Sequence, residues 1–136
     1  MTDLPARLKG LVAFSFGDSP ALADELLALV LEGRKTATCS RPQDYGDGKE
    51  PMPQLGRHDV VLDGQARAAA VVETIELTYR RFDEVDAAFA HDEGEGDRSL
   101  SFWREAHETY FRRNGGFSPD MDLLCERFRV IEVLER

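Results

Sequence analysis

Asp63-Gly64 separates two runs of strand-like composition, Asp59 to Leu62 and Ala66 to Tyr79. An Asp-Gly pair readily adopts the backbone angles of a tight hairpin turn, so the two runs are expected to lie side by side and antiparallel. That limits the architecture. A doubly wound fold alternates strands with crossover helices, and here one strand follows another directly. The second run is long and is expected to bend.

Helical patterns stand on both sides of this hairpin. Pro20 to Glu32 predicts a helix that Ser19 or Asp18 can cap, with Pro20 at its first position and Leu22, Leu26, Leu29 and Val30 as the apolar stripe. Gly33 is its natural stop. Lys35 to Ser40 then alternates through small, β-compatible side chains. Arg41 to Gly56 gathers Pro, Gly and Asp and reads as a long surface loop. Phe82 to His91 reads as a short helix. Ser99 can cap another, carrying Leu100, Trp103, His107, Tyr110 and Phe111 at helical spacing and ending at Asn114-Gly115-Gly116. Leu123 to Leu134 reads as a closing strand. The expected fold is α+β: one domain over residues 1–136, with a small mixed, mainly antiparallel, barrel-like sheet and surrounding helices.

Composition narrows the chemistry. The formal charge is −9, so the whole-molecule field opposes a general phosphate-backbone binder and any nucleic-acid contact must be local. No apolar run approaches the ~18 residues of a spanning helix, and the N-terminus lacks a signal-peptide pattern, so a cytoplasmic protein without a membrane partner is expected. Cys39 and Cys125 form no CxxC motif and are expected to be reduced, mostly buried thiols. His58, His91 and His107 give neither HxH nor HExxH, so no metal site is expected. Gly94-Glu95-Gly96 begins a dinucleotide fingerprint, but Ser99 replaces its third glycine and a helix precedes it. The same stretch fails as a calcium loop because Trp103 occupies the position of the closing Glu. There is no nucleophile elbow and no phosphate-binding loop of the GxxxxGK type.

Two segments retain chemical interest. Gly33-Arg34-Lys35-Thr36-Ala37-Thr38 puts a lysine and two hydroxyls behind a helix end. A lysine desolvated in an apolar cavity loses affinity for its proton and can act as a base toward a hydroxyl. On a regular strand Lys35 and Thr38 would face opposite ways, so the chain must turn or bulge if both serve one pocket. Structurally, Arg34 and Lys35 also suit the negative end of the helix dipole, where Lys35 would contribute only about 0.3–1 kcal/mol. The other segment, Ala90 to Arg98, crowds acids and bases around two glycines and equally suits a solvated loop. Phe14 and Phe16 are expected in the core. Trp103 and His107 share a helix face that could be core or could stack a base.

In this order, the segments FSFGDSPALADELLALVLEGRKTAT, Met52-Pro53-Gln54-Leu55-Gly56, the hairpin, FAHDEGEGDRSLSFWREAH and the final strand resemble the ASCH domain family, relatives of the RNA-binding PUA domains. The resemblance covers nearly the whole chain and implies a PUA-like mixed β-barrel with a cleft between the first helix end and the acidic segment. Some small ASCH proteins are amidohydrolases that deacylate N4-acetylcytidine with a Lys, a Thr and a Glu. By motif position these fall on Lys35, Thr38 and Glu93. Arg34, Ser40, Glu95, Trp103 and His107 are the expected substrate-binding residues. The acidic insert is longer than in those enzymes, Ser40 stands where they carry a basic residue, and Glu95 rivals Glu93. Helix geometry favours Glu93 as the proton shuttle, projecting from an ordered last turn, with Glu95 as a secondary contact. The implied reaction is cofactor-free: Lys35 takes a proton from Thr38, Thr38 attacks the acyl carbon, and Glu93 protonates the leaving amine. The expected ligand is a nucleoside or nucleotide-like small molecule. Another ASCH branch, closer to this chain in overall pattern, implies one alternative, a single-strand ribonuclease; a third reading, a non-catalytic RNA- or nucleotide-binding module, rests on the local basic group Arg34, Lys35 and Arg41.

Overall fold

A computed structural model of the protein describes residues 5–46 and 48–136; residue 47, within the expected Arg41-to-Gly56 loop, and the N-terminal residues 1–4 lie outside the described residues. The strands are β1 (Val12–Phe14), β2 (Ala37–Ser40), β3 (His58–Leu62), β4 (Ala68–Arg81) and β5 (Asp122–Val133), and the helices are α1 (Pro20–Leu31), α2 (Ala87–Glu93) and α3 (Leu100–Arg113). One sheet runs β1-β3-β4-β5-β2. Only β1 and β3 are parallel; the other neighbours are antiparallel. The fold class is therefore the mixed, mainly antiparallel α+β expected. The edge strands β1 and β2 do not pair, yet Val12 and Phe14 line one cavity with Thr38 and Ser40. The sheet thus curls like a barrel without closing by hydrogen bonds.

Local chemistry sets the element ends. Ser19, Asp86 and Ser99 each accept a backbone N–H of the first turn, from Leu22, Phe89 and Phe102 respectively. The β3–β4 turn is the expected hairpin, its Asp63 carboxylate accepting the N–H groups of Gln65 and Arg67. Register shifts at Val71/Val72 and Thr74/Glu76 bend the long β4 against β5. One expectation needs correction. The helix expected from Phe82 begins only at Ala87: Phe82–Glu84 forms a separate 3-10 turn, and Asp86, extended in backbone, starts the new helix as its cap. Val12–Phe14, for which the sequence predicts no element, forms a strand because β3 offers it a parallel edge.

Both faces of the sheet are covered. Phe16, Leu26, Leu27 and Val30 pack with Val61, Val72 and Phe128, which places α1 on one face. The neighbouring residues Val60 and Val71 go to a separate cluster with Leu8. Phe82, Phe89, Trp103 and Phe111 join Ala37, Leu123 and Cys125, fastening α2 and α3 over the β2–β5 end. Each fully buried Leu, Val or Phe contributes about 1.5–3 kcal/mol. Among the described residues no helix is long and apolar enough to cross a membrane.

Candidate active site

The site is built where the end of α1 meets the end of α2. Gly33, at φ +77°, terminates α1, and the Arg34 and Lys35 N–H groups both return to the Leu29 carbonyl. The chain therefore turns before β2 begins at Ala37, which brings Lys35 and Thr38 to one cavity despite their spacing. At the other side Gly94, at φ +78°, caps α2. A Cβ on Gly94 would sit 2.4 Å from the Arg34 carbonyl oxygen, so only glycine lets the two segments touch. The Arg34 guanidinium clamps them, donating to the Gly94 carbonyl at 2.9 Å and the Gly96 carbonyl at 2.8 Å. Arg98 adds bonds to the His91 and Arg34 carbonyls.

This clamp encloses a charged network. Lys35 Nζ donates to Ala37 O at 2.9 Å, Glu93 Oε1 at 2.9 Å and Glu95 Oε2 at 3.2 Å, using all three of its hydrogens. The Lys35 and Glu93 side chains are 1% exposed, while Glu95 is 22% exposed. Trp103 Nε1–H donates to Glu93 Oε2 at 2.8 Å, and His107 Nε2 lies 3.4 Å from the same oxygen. His107 Nδ1 donates to the Trp103 carbonyl at 2.9 Å, and the two rings stack with centroids 4.4 Å apart. Both nitrogens of His107 thus face acceptors, the geometry of an imidazolium. Burial lowers the His107 pKa, but the Glu93 carboxylate outweighs it and the net shift is upward. Burial likewise opposes a charged Lys35, but Glu93 and Glu95 outweigh it, so Lys35 holds its proton more firmly than a free lysine. For Glu93, burial is outweighed by Lys35 and His107, and its pKa falls.

These contacts bear on the expected role of Lys35. The neutral amine that a base toward Thr38 requires is disfavoured here, because two carboxylates offset the desolvation of Lys35 and accept its hydrogens. Nor is Lys35 a mere helix-end charge, since it is buried against a carboxylate from another element.

A cavity of about 730 Å³ opens over this network, and Phe16, Phe102 and Tyr110 supply aromatic walls. Glu25 and Glu105 add acids to its lining, and its one other basic residue besides Lys35 and His107, Arg113, is paired with Asp18. Lys35, Thr38, Glu93, Glu95 and His107 all line this cavity. Thr38 makes no side-chain hydrogen bond among the described residues, and it also lines an adjoining cavity of about 400 Å³. Ser40 faces only that second cavity, its Oγ accepting the Tyr45 hydroxyl at 2.7 Å. Two expected ligand contacts fall outside. Arg34 is spent on backbone carbonyls, and Trp103, 2% exposed, positions Glu93 and His107 from beneath. Of the two aromatics expected in the core, Phe16 is buried while Phe14 is only partly so.

Sequence reasoning passed over Cys39. Both cysteines are free thiols, and Cys125 is buried as expected, but half-buried Cys39 lines the main cavity. Its sulfur, a Glu93 oxygen and a His107 nitrogen lie within 4.8 Å of one another. Burial and the neighbouring Glu93 carboxylate push the Cys39 thiol pKa well up. No sequence motif links these three residues; only the register of β2 on β5 and the packing of α3 over α2 bring them together.

The ASCH domain sequence model matches residues 12–132. The crystal structure of an ASCH domain from Lactobacillus crispatus superposes with a TM-score of 0.80 at 32% identity, over 88% of this chain and 79% of that one. A crystal structure of a protein from Enterococcus faecalis gives a TM-score of 0.80 at 34% identity, over 90% of this chain and 77% of that one. An ASCH structure from Zymomonas mobilis, at 10% identity and a TM-score of 0.56 over 91% of this chain and 71% of that one, shares the fold alone. No curated protein matches the chain. With its sequence matched from β1 into β5 and its fold shared with these structures, the chain belongs to the ASCH domain family.

Proposed function

We propose that the protein is a small amidohydrolase that deacylates an uncharged, nucleoside-sized ligand, with cytidine acylated on its exocyclic amine as the substrate class. The observation that carries this reading is the juxtaposition of Lys35, held as an ammonium, with the free hydroxyl of Thr38 and the accessible carboxylate of Glu95 on one cavity. A volume of about 730 Å³ suits a compact ligand. The aromatic walls suit a planar base, at roughly 1–3 kcal/mol per stacked ring. The acidic lining repels polyphosphates and tolerates a neutral nucleoside.

Thr38 Oγ1 attacks the acyl carbon and its proton passes to the Glu95 carboxylate. Protonation of Glu95 releases the Lys35 hydrogen that this carboxylate had accepted, and the ammonium turns it, with its charge, to the oxyanion of the tetrahedral intermediate. Glu95 then protonates the leaving amine as the C–N bond breaks, leaving an ester on Thr38. Water gives a proton to Glu95 and attacks that ester; the acid leaves, and Thr38 recovers its proton from Glu95. Glu93 stays ionised and fixes Lys35, because its oxygens already accept from Lys35 and Trp103 and His107 Nε2 lies 3.4 Å away. This assigns the shuttle to Glu95 and a positioning role to Glu93.

The test is incubation of the full chain with N-acetylcytidine and chromatographic separation of cytidine. Multiple-turnover release supports the proposal. Absence of release, with cleavage or tight binding of single-stranded RNA, replaces it by the ribonuclease or RNA-binding reading.

A further inference from the structure

The floor of the main cavity has a second chemical capacity, independent of whether Thr38 is a nucleophile. Cys39 Sγ, a Glu93 carboxylate oxygen and His107 nitrogen converge within 4.8 Å. The separation of His107 Nε2 from Glu93 Oε2, 3.4 Å, is what two ligands at about 2.0–2.2 Å from one tetrahedral ion would show. The outer contacts also match. A metal-ligating histidine ordinarily donates its other ring N–H to a carbonyl or carboxylate, and His107 Nδ1 donates to the Trp103 carbonyl at 2.9 Å. That bond aims Nε2 at the convergence point. The Trp103 indole N–H, at 2.8 Å from Oε2, fixes the carboxylate in the same way.

We propose that Cys39, Glu93 and His107 form a three-ligand site for a divalent cation of the zinc class, with its fourth position open to the cavity. A thiolate, an imidazole and a carboxylate suit zinc or cobalt(II), whereas magnesium and calcium prefer all-oxygen sets. Three protein ligands with one open position is the arrangement that admits water or a small ligand to the ion.

Lys35 is the obvious electrostatic objection. Its ammonium, however, is bonded to Oε1 of Glu93, while His107 and Trp103 address Oε2, so ammonium and ion take different oxygens. Once Cys39 ionises, two carboxylates and a thiolate balance the ammonium and the dication. The proton on His107 Nε2 and the ion compete for one position. In this structure His107 Nε2 lies 3.4 Å from Glu93 Oε2; with the ion bound, His107 becomes a neutral ligand.

Cobalt(II) added to the reduced full chain reports directly on thiolate ligation through a near-ultraviolet charge-transfer band. The expected result is one such band per chain, removed by equimolar zinc, absent in Cys39→Ser and retained in Cys125→Ser, whose thiol belongs to the adjacent strand. His107→Gln should weaken zinc, measured against a chelator, by more than the 10- to 100-fold that loss of an outer-shell partner costs. Circular dichroism establishes that each variant is folded, and the wild-type spectrum needs no variant at all. No charge-transfer band in the wild type, a band that survives Cys39→Ser, or unchanged zinc affinity in folded His107→Gln overturns the site.

Discussion

The ammonium of Lys35 and the carboxylate of Glu93 are 2.9 Å apart with each side chain 1% exposed, so removing either leaves a charge of the other inside the protein. Breaking a buried pair from one side costs about 3–5 kcal/mol, whereas replacing both members by apolar groups is often far milder. Lys35→Ala is therefore expected to lower unfolding stability by that order, well beyond the ~0.3–1 kcal/mol of a helix-end charge. Urea denaturation of Lys35→Met, Glu93→Leu and the double variant checks this. The double variant should recover part of the loss; strictly additive losses would contradict the pairing.

The two glutamates should separate by phenotype. Glu95, 22% exposed, is expected to lose about 10²- to 10⁴-fold in rate as Glu95→Gln with a smaller stability change. Glu93→Gln leaves Lys35 and His107 short of a counter-charge and should show its main effect in the denaturation midpoint. Paired measurements of kcat and urea midpoint decide. A larger rate loss at Glu93 with unchanged stability would exchange the two roles.

Acid sensitivity has a source at the hairpin. Burial raises the pKa of Asp63, but the backbone N–H groups of Arg67 and Gln65 and the guanidiniums of Arg136 and Arg67 outweigh it, bringing the value down to about 2. A folded-state pKa below the unfolded value of about 3.9 adds stability above that value and loses it as pH falls from about 4 toward 2. Asp63→Asn should be less stable than the wild type near neutral pH, with the gap narrowing across that window. Urea midpoints at several pH values test it; a gap independent of pH would remove Asp63 as the cause.

Salt should distinguish the ligands. Binding of N-acetylcytidine is expected to change little between low and high salt, because no phosphate is neutralised. Single-stranded RNA of about ten nucleotides should bind weakly at physiological ionic strength against a charge of −9. Titrations at two salt concentrations measure both. Tight RNA binding with a steep salt slope and none for the nucleoside would replace the amidohydrolase reading.

Elements with local signals were legible in the sequence: the Ser19 cap and Gly33 stop of α1, the Asp63-Gly64 hairpin, the Ser99 cap of α3 and the apolar run of β5. Those that depend on distant partners were not. Val12–Phe14 is a strand only because β3 lies beside it, and nothing in three residues announces that edge. Motif position brought Lys35, Thr38 and both glutamates into consideration, but their electrostatics lay beyond it. The Gly94 contact seats two carboxylates against Lys35, which favours its ammonium over the amine. Trp103 looked like either core or a stacking platform; its burial and its indole bond to Glu93 make it the support beneath the site.

The most direct measurement is kcat/KM for N-acetylcytidine deacylation by the wild type, Thr38→Ala and Thr38→Ser. Thr38 lines the cavity without a side-chain hydrogen bond among the described residues, so its truncation should leave folding intact. Removing the nucleophile is expected to cut kcat/KM by more than about 10³-fold, while Thr38→Ser, which keeps a hydroxyl, should retain most of the rate. A Thr38→Ala variant as active as the wild type, or a wild type that releases no cytidine above the uncatalysed background, would contradict the account.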